Sequence, residues 1–346
     1  MKTLKDIGEF GLIETIKKDF AGIAAKDKDI AVSIGDDCFC FKNGGKTFCV
    51  TKDLLVQDVH FRKEWIMPKD LGKKAVEVNV SDIASMGAVY PKYVFVGLGA
   101  PSEIPLNYIK QFYSGVKDAC KKYRAQIAGG DTVKSDKIII SVTVIGESER
   151  LGKIITRNGA KTGDLIGVTN TFGDAGAGVK LLYKYGNGQR RASAPCHSGL
   201  DPESILPLKK LSKEEKYLIA KQNSPQARLK EAFVISKFAN SMTDASDGLF
   251  ISIGLLAKGA DIDLNKIPVS NQLKKVFPDE NERLRLALFG AEDYELVFTV
   301  SQNKALKLKK LLSQISYIGE IVNSNKVKYF RNGKEQKIAY AGFKHF

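Results

Sequence analysis

LGKKAVEVNVSDIASMG, from Leu71 to Gly87, reads as a helix, and the alternation of elements that begins with it decides the fold. YPKYVFVGLGAP (Tyr90–Pro101) has the apolar, β-branched and aromatic composition of a buried strand. NYIKQFYSGVKDACKKY (Asn107–Tyr123) returns to a helical pattern, and AQIAGGDT (Ala125–Thr132) and KIIISVTVIGE (Lys137–Glu147) supply two more strands. Helices interleaved with strands in this way belong to mixed α/β domains with helices laid on a sheet.

Working outward, Ile7, Phe10, Ile13, Ile16 and Phe20 recur at helical spacing and predict a helix over residues 6–20. IAVSI and TFCVTKDLLV carry strand composition, with KNGGKT (Lys42–Thr47) as the turn between them. Glycines and charges replace apolar periodicity in ESERLGKIITRNGAKTGD (Glu147–Asp164), which predicts a domain boundary there. Beyond it, DLIGVTN restarts as a strand and GAGVKLLYKY as a helix. YELVFTV, a lysine-rich helix, SYIGEIV and VKYFRNGKE close the chain. The expected fold class is therefore α/β (α+β), with two mixed α/β domains, each with helices packed on a β-sheet, at 1–150 and 151–346. Gly186 to Leu208 is polar, proline-bearing and aperiodic, and is expected to be a mobile surface insertion at about 186–208.

The chain has 346 residues, 43% of them hydrophobic and 27% charged, as in ordinary globular proteins. No apolar run approaches the roughly 18 residues that span a bilayer, and the N-terminus lacks the apolar core of a secretory signal. Five cysteines, an odd and sparse set, fit a reducing compartment, so a cytoplasmic location is expected. Cys38, Cys40 and Cys49 read as small buried thiols on paired strands; a zinc site would need His60 to complete it. A net charge of +15 invites a nucleic-acid reading, but the lysines are scattered over helix-like segments without an arginine-rich arm or binding motif, so neither nucleic acid nor membrane is the expected partner.

Acidic residues beside glycine or small hydroxyl residues carry the chemistry. Asp36, Asp37, Asp53, Asp82, Asp131, Asp244 and Asp247 all read as standing at strand ends or turns. Each alone could be a helix cap or an Asx turn. If the fold gathers several of them, their mutual repulsion demands cations, and hard oxygen ligands of this kind suit Mg2+, which completes its shell with water and substrate phosphates. GDAGAGVK (Gly173–Lys180) would open a helix whose free N–H groups either hold an anion or merely follow a tight strand-to-helix turn. CFKNGGKT is rejected as a P-loop, because Cys40 stands at its first glycine position in a short hairpin. The three histidines form no catalytic triad, and there is no G-x-S-x-G elbow.

Taken in order, IGEFGLI, IGDDC, TKDLLVQDVHF, VNVSDIASMGA, GGDT, TRNGAKTGD, GDAGAGV, DASDGL, GAEDYEL and the terminal GFKHF resemble the thiamine-monophosphate kinase family of the aminoimidazole-ribonucleotide-synthetase-like superfamily. GEF, VHF, EDYEL and KHF point to the thiamine branch rather than to selenophosphate synthetase and other relatives. The resemblance implies ATP-dependent phosphorylation of thiamine monophosphate to thiamine diphosphate, in a homodimer whose N-terminal domains join their sheets. It implies several Mg2+ ions held by Asp37, Thr51, Asp53, Asp82, Asp131, Asp244 and Asp247. Gly130, Asp131, Arg157 and Ser246 would lie against ATP, and His60, Glu292 and Phe343 against the thiamine phosphate. Asp53, Asp82 and Arg157 are the expected catalytic groups. Three positions depart from the family pattern: Lys52 stands where Thr is common and would touch metal only through its main chain or not at all, Ala291 replaces a glycine, and Phe343 replaces Trp or Tyr. The competing readings are another ATP-using enzyme of the superfamily and a catalytically idle nucleotide or nucleic-acid binding protein.

Overall fold

The computed structural model describes residues 2–24, 27–148, 153–186, 210–340 and 342. The first half runs α1 (Leu4–Ala24), β1 (Ile30–Val32), β2 (Phe39–Asn43), β3 (Lys46–Val56), α2 (Pro68–Ser85), β4 (Val89–Ala100), α3 (Leu106–Tyr123), β5 (Gln126–Lys134) and β6 (Ile139–Ser148). Its six strands form one sheet in the order β1-β2-β3-β6-β4-β5. The KNGGKT turn is where it was expected, with Gly44 and Gly45 at φ 58° and 76°, the left-handed pair that a tight hairpin needs. The strand paired across it is FCFKN, however; IAVSI supplies only the short edge strand β1.

Alternation along β6 sends Ile140, Val142 and Val144 inward, where they join Val94, Val96 and Leu98 of β4 under α2 and α3. The two helices cross with almost no gap. A Cβ on Gly115 would stand 1.8 Å from the carbonyl oxygen of Lys69, and one on Gly72 would stand 2.0 Å from that of Phe112, so the crossing is made by a reciprocal pair of glycines.

The second half comprises β7 (Asp164–Thr169), α4 (Asp174–Gly186), α5 (Lys213–Asn223), α6 (Leu229–Ile235), β8 (Ala239–Asp244), α7 (Leu249–Leu256), β9 (Ala260–Asp263), α8 (Asn271–Val276), α9 (Glu280–Phe289), β10 (Leu296–Ser301), α10 (Gln302–Leu311), β11 (Ile315–Ile321), β12 (Val327–Arg331) and β13 (Lys334–Gln336). Its strands form a seven-stranded sheet, β13-β12-β9-β11-β7-β10-β8, with its own apolar core. Both halves are thus mixed α/β sheets with packed helices. Helix α2 joins them: buried along most of its length, it packs on β3, β4 and β6 on one side and on β8, α5 and α6 on the other. The 186–208 insertion lies, from residue 187 on, outside the described residues. Among the described residues no helix is long and apolar enough to cross a membrane.

Candidate active site

Because α2 touches both sheets, its last turn brings together carboxylates from three distant parts of the chain. Asp82 in α2, Asp37 before β2 and Asp244 at the end of β8 place one oxygen each within 4.8 Å of one another. The surrounding hydroxyls fix them. Thr51 Oγ1 donates to Asp82 Oδ2, Ser81 Oγ donates to Asp244 Oδ2 at 2.6 Å, and Thr243 Oγ1 donates to Asp37 Oδ1 at 3.1 Å. Arg157 adds its guanidinium to the same Asp37 Oδ1 at 2.5 and 3.2 Å, and its backbone N–H donates to Asp36 Oδ2 at 3.0 Å.

Asp37 Oδ2 is left buried with no hydrogen-bond partner. A lone carboxylate oxygen away from water is costly, and a cation is the partner that removes the cost. The chemistry of the set, three carboxylates with hydroxyls, fits a hard divalent ion. Protonation tells the same story. Burial, reinforced by the charges of Asp53, Asp244 and Asp37, pushes the Asp82 carboxyl well above the ordinary range. Asp244 is raised to about 8 by burial and by Asp37, against the pull of Ser81 and Arg157. Asp53 is raised to about 6 by burial and then by Asp247 and Asp37. Without a cation, protons take its place.

Asp36, Asp37 and Asp82 line a cleft of about 1070 Å³ that also takes in Thr51, Asp53, His60, Arg157, Ser246, Asp247 and Glu292. His60 is held by its own loop, with Nδ1 accepting the Val56 N–H at 3.0 Å. Lys52 alternates with Thr51 and Asp53 on β3, so its side chain leaves from the opposite face of the strand and only its main chain is common to their side. Glu292 follows Ala291 in a left-handed backbone conformation, φ 69°, with its N–H donated to Ser246 O at 2.7 Å.

Several expectations need correction. Asp53 and Asp131 stand within strands, and Asp82 stands inside the last turn of α2, so none of the three is at a strand end. Gly130 and Asp131 are exposed on β5, three strands across the sheet from Asp53, which is about 14 Å at ordinary strand spacing. Asp131 therefore stands apart from the cluster of Asp37, Asp82 and Asp244. The GDAGAGVK helix start is filled from within the chain and not by an external anion: Gly173 N and Ala175 N donate to the Asp293 carboxyl group at 2.7 and 3.0 Å. The cysteines need no correction: Cys40 and Cys49 are, as expected, buried thiols facing each other across β2 and β3. Phe343 lies outside the described residues.

Sequence reading missed Lys74 and Gln222. Lys74 is a fully buried lysine on α2 whose Nζ meets Glu292 Oε2 at 3.0 Å, and Gln222 of α5 donates to the same oxygen.

A family model described as "AIR synthase related protein, N-terminal domain" matches residues 35–148. The thiamine-monophosphate kinase of Aquifex aeolicus (strain VF5) is 34% identical over 99% of each chain. That of Bacillus subtilis (strain 168) is 32% identical over 98% of this chain and 99% of its own. The solved structure "AaThiL complexed with AMPPCP and TMP" superposes with a TM-score of 0.82 at 33% identity, covering 100% of this chain and 99% of that one.

Proposed function

The chain belongs to the thiamine-monophosphate kinase family, and from that premise we infer that it catalyses ATP-dependent phosphorylation of thiamine monophosphate to thiamine diphosphate at the acidic cleft. The observation that carries the site assignment is the orphaned Asp37 Oδ2 inside a cluster of three carboxylates. Asp37, Asp82 and Asp244, with Thr51, Asp53 and Asp247 beside them, would hold Mg2+. When bound, the ions supply charge compensation between two polyanions and on the transferring phosphoryl group.

The chain's own residues do the rest by position. The acceptor is a phosphate monoester whose second pKa is about 6, so near neutral pH it is already an ionised nucleophile. No general base is required, which accords with a cleft whose one described histidine is tied to its own loop. The transfer is direct and in line, and its difficulty is electrostatic and orientational. Arg157, anchored on Asp36 and Asp37, keeps a permanent cation at the acidic end for the donor phosphates. Ser246 and the β5 residues Gly130 and Asp131 stay assigned to ATP, and His60, Glu292 and Phe343 to the acceptor.

The reading includes a homodimer. Phe39, Leu54, Tyr93 and Phe95 are 36–49% exposed. Alternation and strand register set them on the face of the first sheet turned away from α2 and α3, in an apolar surface that suits a second copy of the same sheet. A cytoplasmic site of action is supported by the four described cysteines, all free. Measuring ADP release with and without thiamine monophosphate tests the function. Release that depends on the acceptor is expected, and acceptor-independent or absent release would refute it.

A further inference from the structure

Assigning Glu292 to the acceptor leaves its neighbours Lys74 and Gln222 unexplained, and the role inferred for them rests on that assignment. Lys74 lies eight residues before Asp82 on α2, about 12 Å along the helix axis, so one rigid element carries both the acidic end of the cleft and this second position. The Lys74 ammonium, 1% exposed, donates to Gln222 O at 3.1 Å and pairs with Glu292 Oε2 at 3.0 Å. Gln222 Nε2 donates to that same Oε2.

These contacts settle the orientation of the Gln222 amide. A carboxylate only accepts, so the atom of Gln222 facing it is the nitrogen, and the amide oxygen is directed elsewhere. That oxygen, Oε1, is buried without a partner in a residue 5% exposed that lines the cleft. A buried acceptor left without a donor costs stability, and the fold keeps it. Lys74 and Gln222 both engage Oε2 of Glu292, so Glu292 Oε1 is its remaining acceptor. Two acceptors, positioned by one buried cation, are complementary to N–H donors.

We propose that Gln222 is a specificity-determining residue for the acceptor: its Oε1 takes a hydrogen bond from the exocyclic amine of the acceptor's pyrimidine ring, beside Glu292, while Lys74 holds the Glu292 side chain and the Gln222 main chain in place. The pair recognises the ring from the end of the cleft opposite the transferring phosphoryl group. It therefore acts on acceptor choice and not on the bond made.

The test compares thiamine monophosphate with its analogue carrying a carbonyl oxygen in place of that amine, in the full-length protein with ATP and Mg2+. The wild-type protein is expected to favour the amine in kcat/KM by at least about tenfold, the factor one hydrogen bond supplies. Gln222→Met, close in volume, is expected to raise KM for thiamine monophosphate about tenfold more than KM for ATP and to erase most of the preference. Active wild-type protein without a preference overturns the proposal, and this arm needs no variant to fold. So does a Gln222→Met protein of unchanged Tm that keeps the full preference. Wild-type protein that releases no ADP with either acceptor overturns the kinase reading and this assignment with it.

Discussion

Asp82→Asn is expected to make the metal-free protein more stable while destroying its response to Mg2+ and its turnover. The three clustered carboxylate oxygens lie within 4.8 Å of one another. At an effective dielectric of about 20, two full charges at that separation repel by about 3.5 kcal/mol. The substitution deletes two of the three pairs and keeps an oxygen for the Thr51 hydroxyl. Protons held by the raised carboxyls already absorb much of the repulsion, which leaves an expected gain of about 1–3 kcal/mol in EDTA, or a Tm higher by about 2–6 °C. In saturating Mg2+ the order reverses: the wild type gains about 2.7 kcal/mol at a hundred times Kd, and the variant gains little. Turnover should fall by a hundred- to a thousandfold, the loss that follows removal of one group stabilising transition-state charge. Thermal unfolding of both proteins with EDTA and with Mg2+, alongside ADP release, measures all three. A variant destabilised in EDTA, or one that Mg2+ stabilises as much as it does the wild type, would refute the reasoning.

Stability without metal should fall as pH rises. Asp244 and Asp293 are both raised to about 8, chiefly by burial, so the folded state binds protons that the unfolded state has lost. That contribution is complete below about pH 4 and lost as pH climbs through 8. The urea midpoint in EDTA is therefore expected to drop between pH 5 and 8.5, less so with Mg2+; a flat or rising midpoint contradicts this. Gly115→Ala forces a methyl group to 1.8 Å from the Lys69 carbonyl, so α3 must back away from α2, at a cost of about 3 kcal/mol. A Tm within 1 °C of wild type, an interval set at roughly half the shift of one kcal/mol, would show that the crossing is not tight.

The fold was legible because its signals are local. The alternation of β6, the NGG hairpin and the long periodic helix at Asn107–Tyr123 each state their structure within one short stretch of chain. The acids were legible as a class, since aspartates beside glycine and hydroxyl residues are unusual in number. What sequence could not say is which of them meet. Asp82 joins Asp37 and Asp244 because α2 is packed between two sheets, while Asp131, in an equally suggestive GGDT, stays on an edge strand. The helix start at Gly173 looked open to an anion until Asp293, 118 positions after Ala175, was folded onto it. Lys74 and Gln222 were invisible for the same reason: their chemistry exists only in the contact, made across 148 residues.

Anomalous scattering from crystals grown with Mn2+ in place of Mg2+ tests most directly whether the converged acids hold metal. A peak within coordination distance of Asp37 Oδ2 and of the Asp82 and Asp244 carboxylates is the expected result. Crystals with Mn2+ bound elsewhere, and no peak among these three side chains, would contradict it.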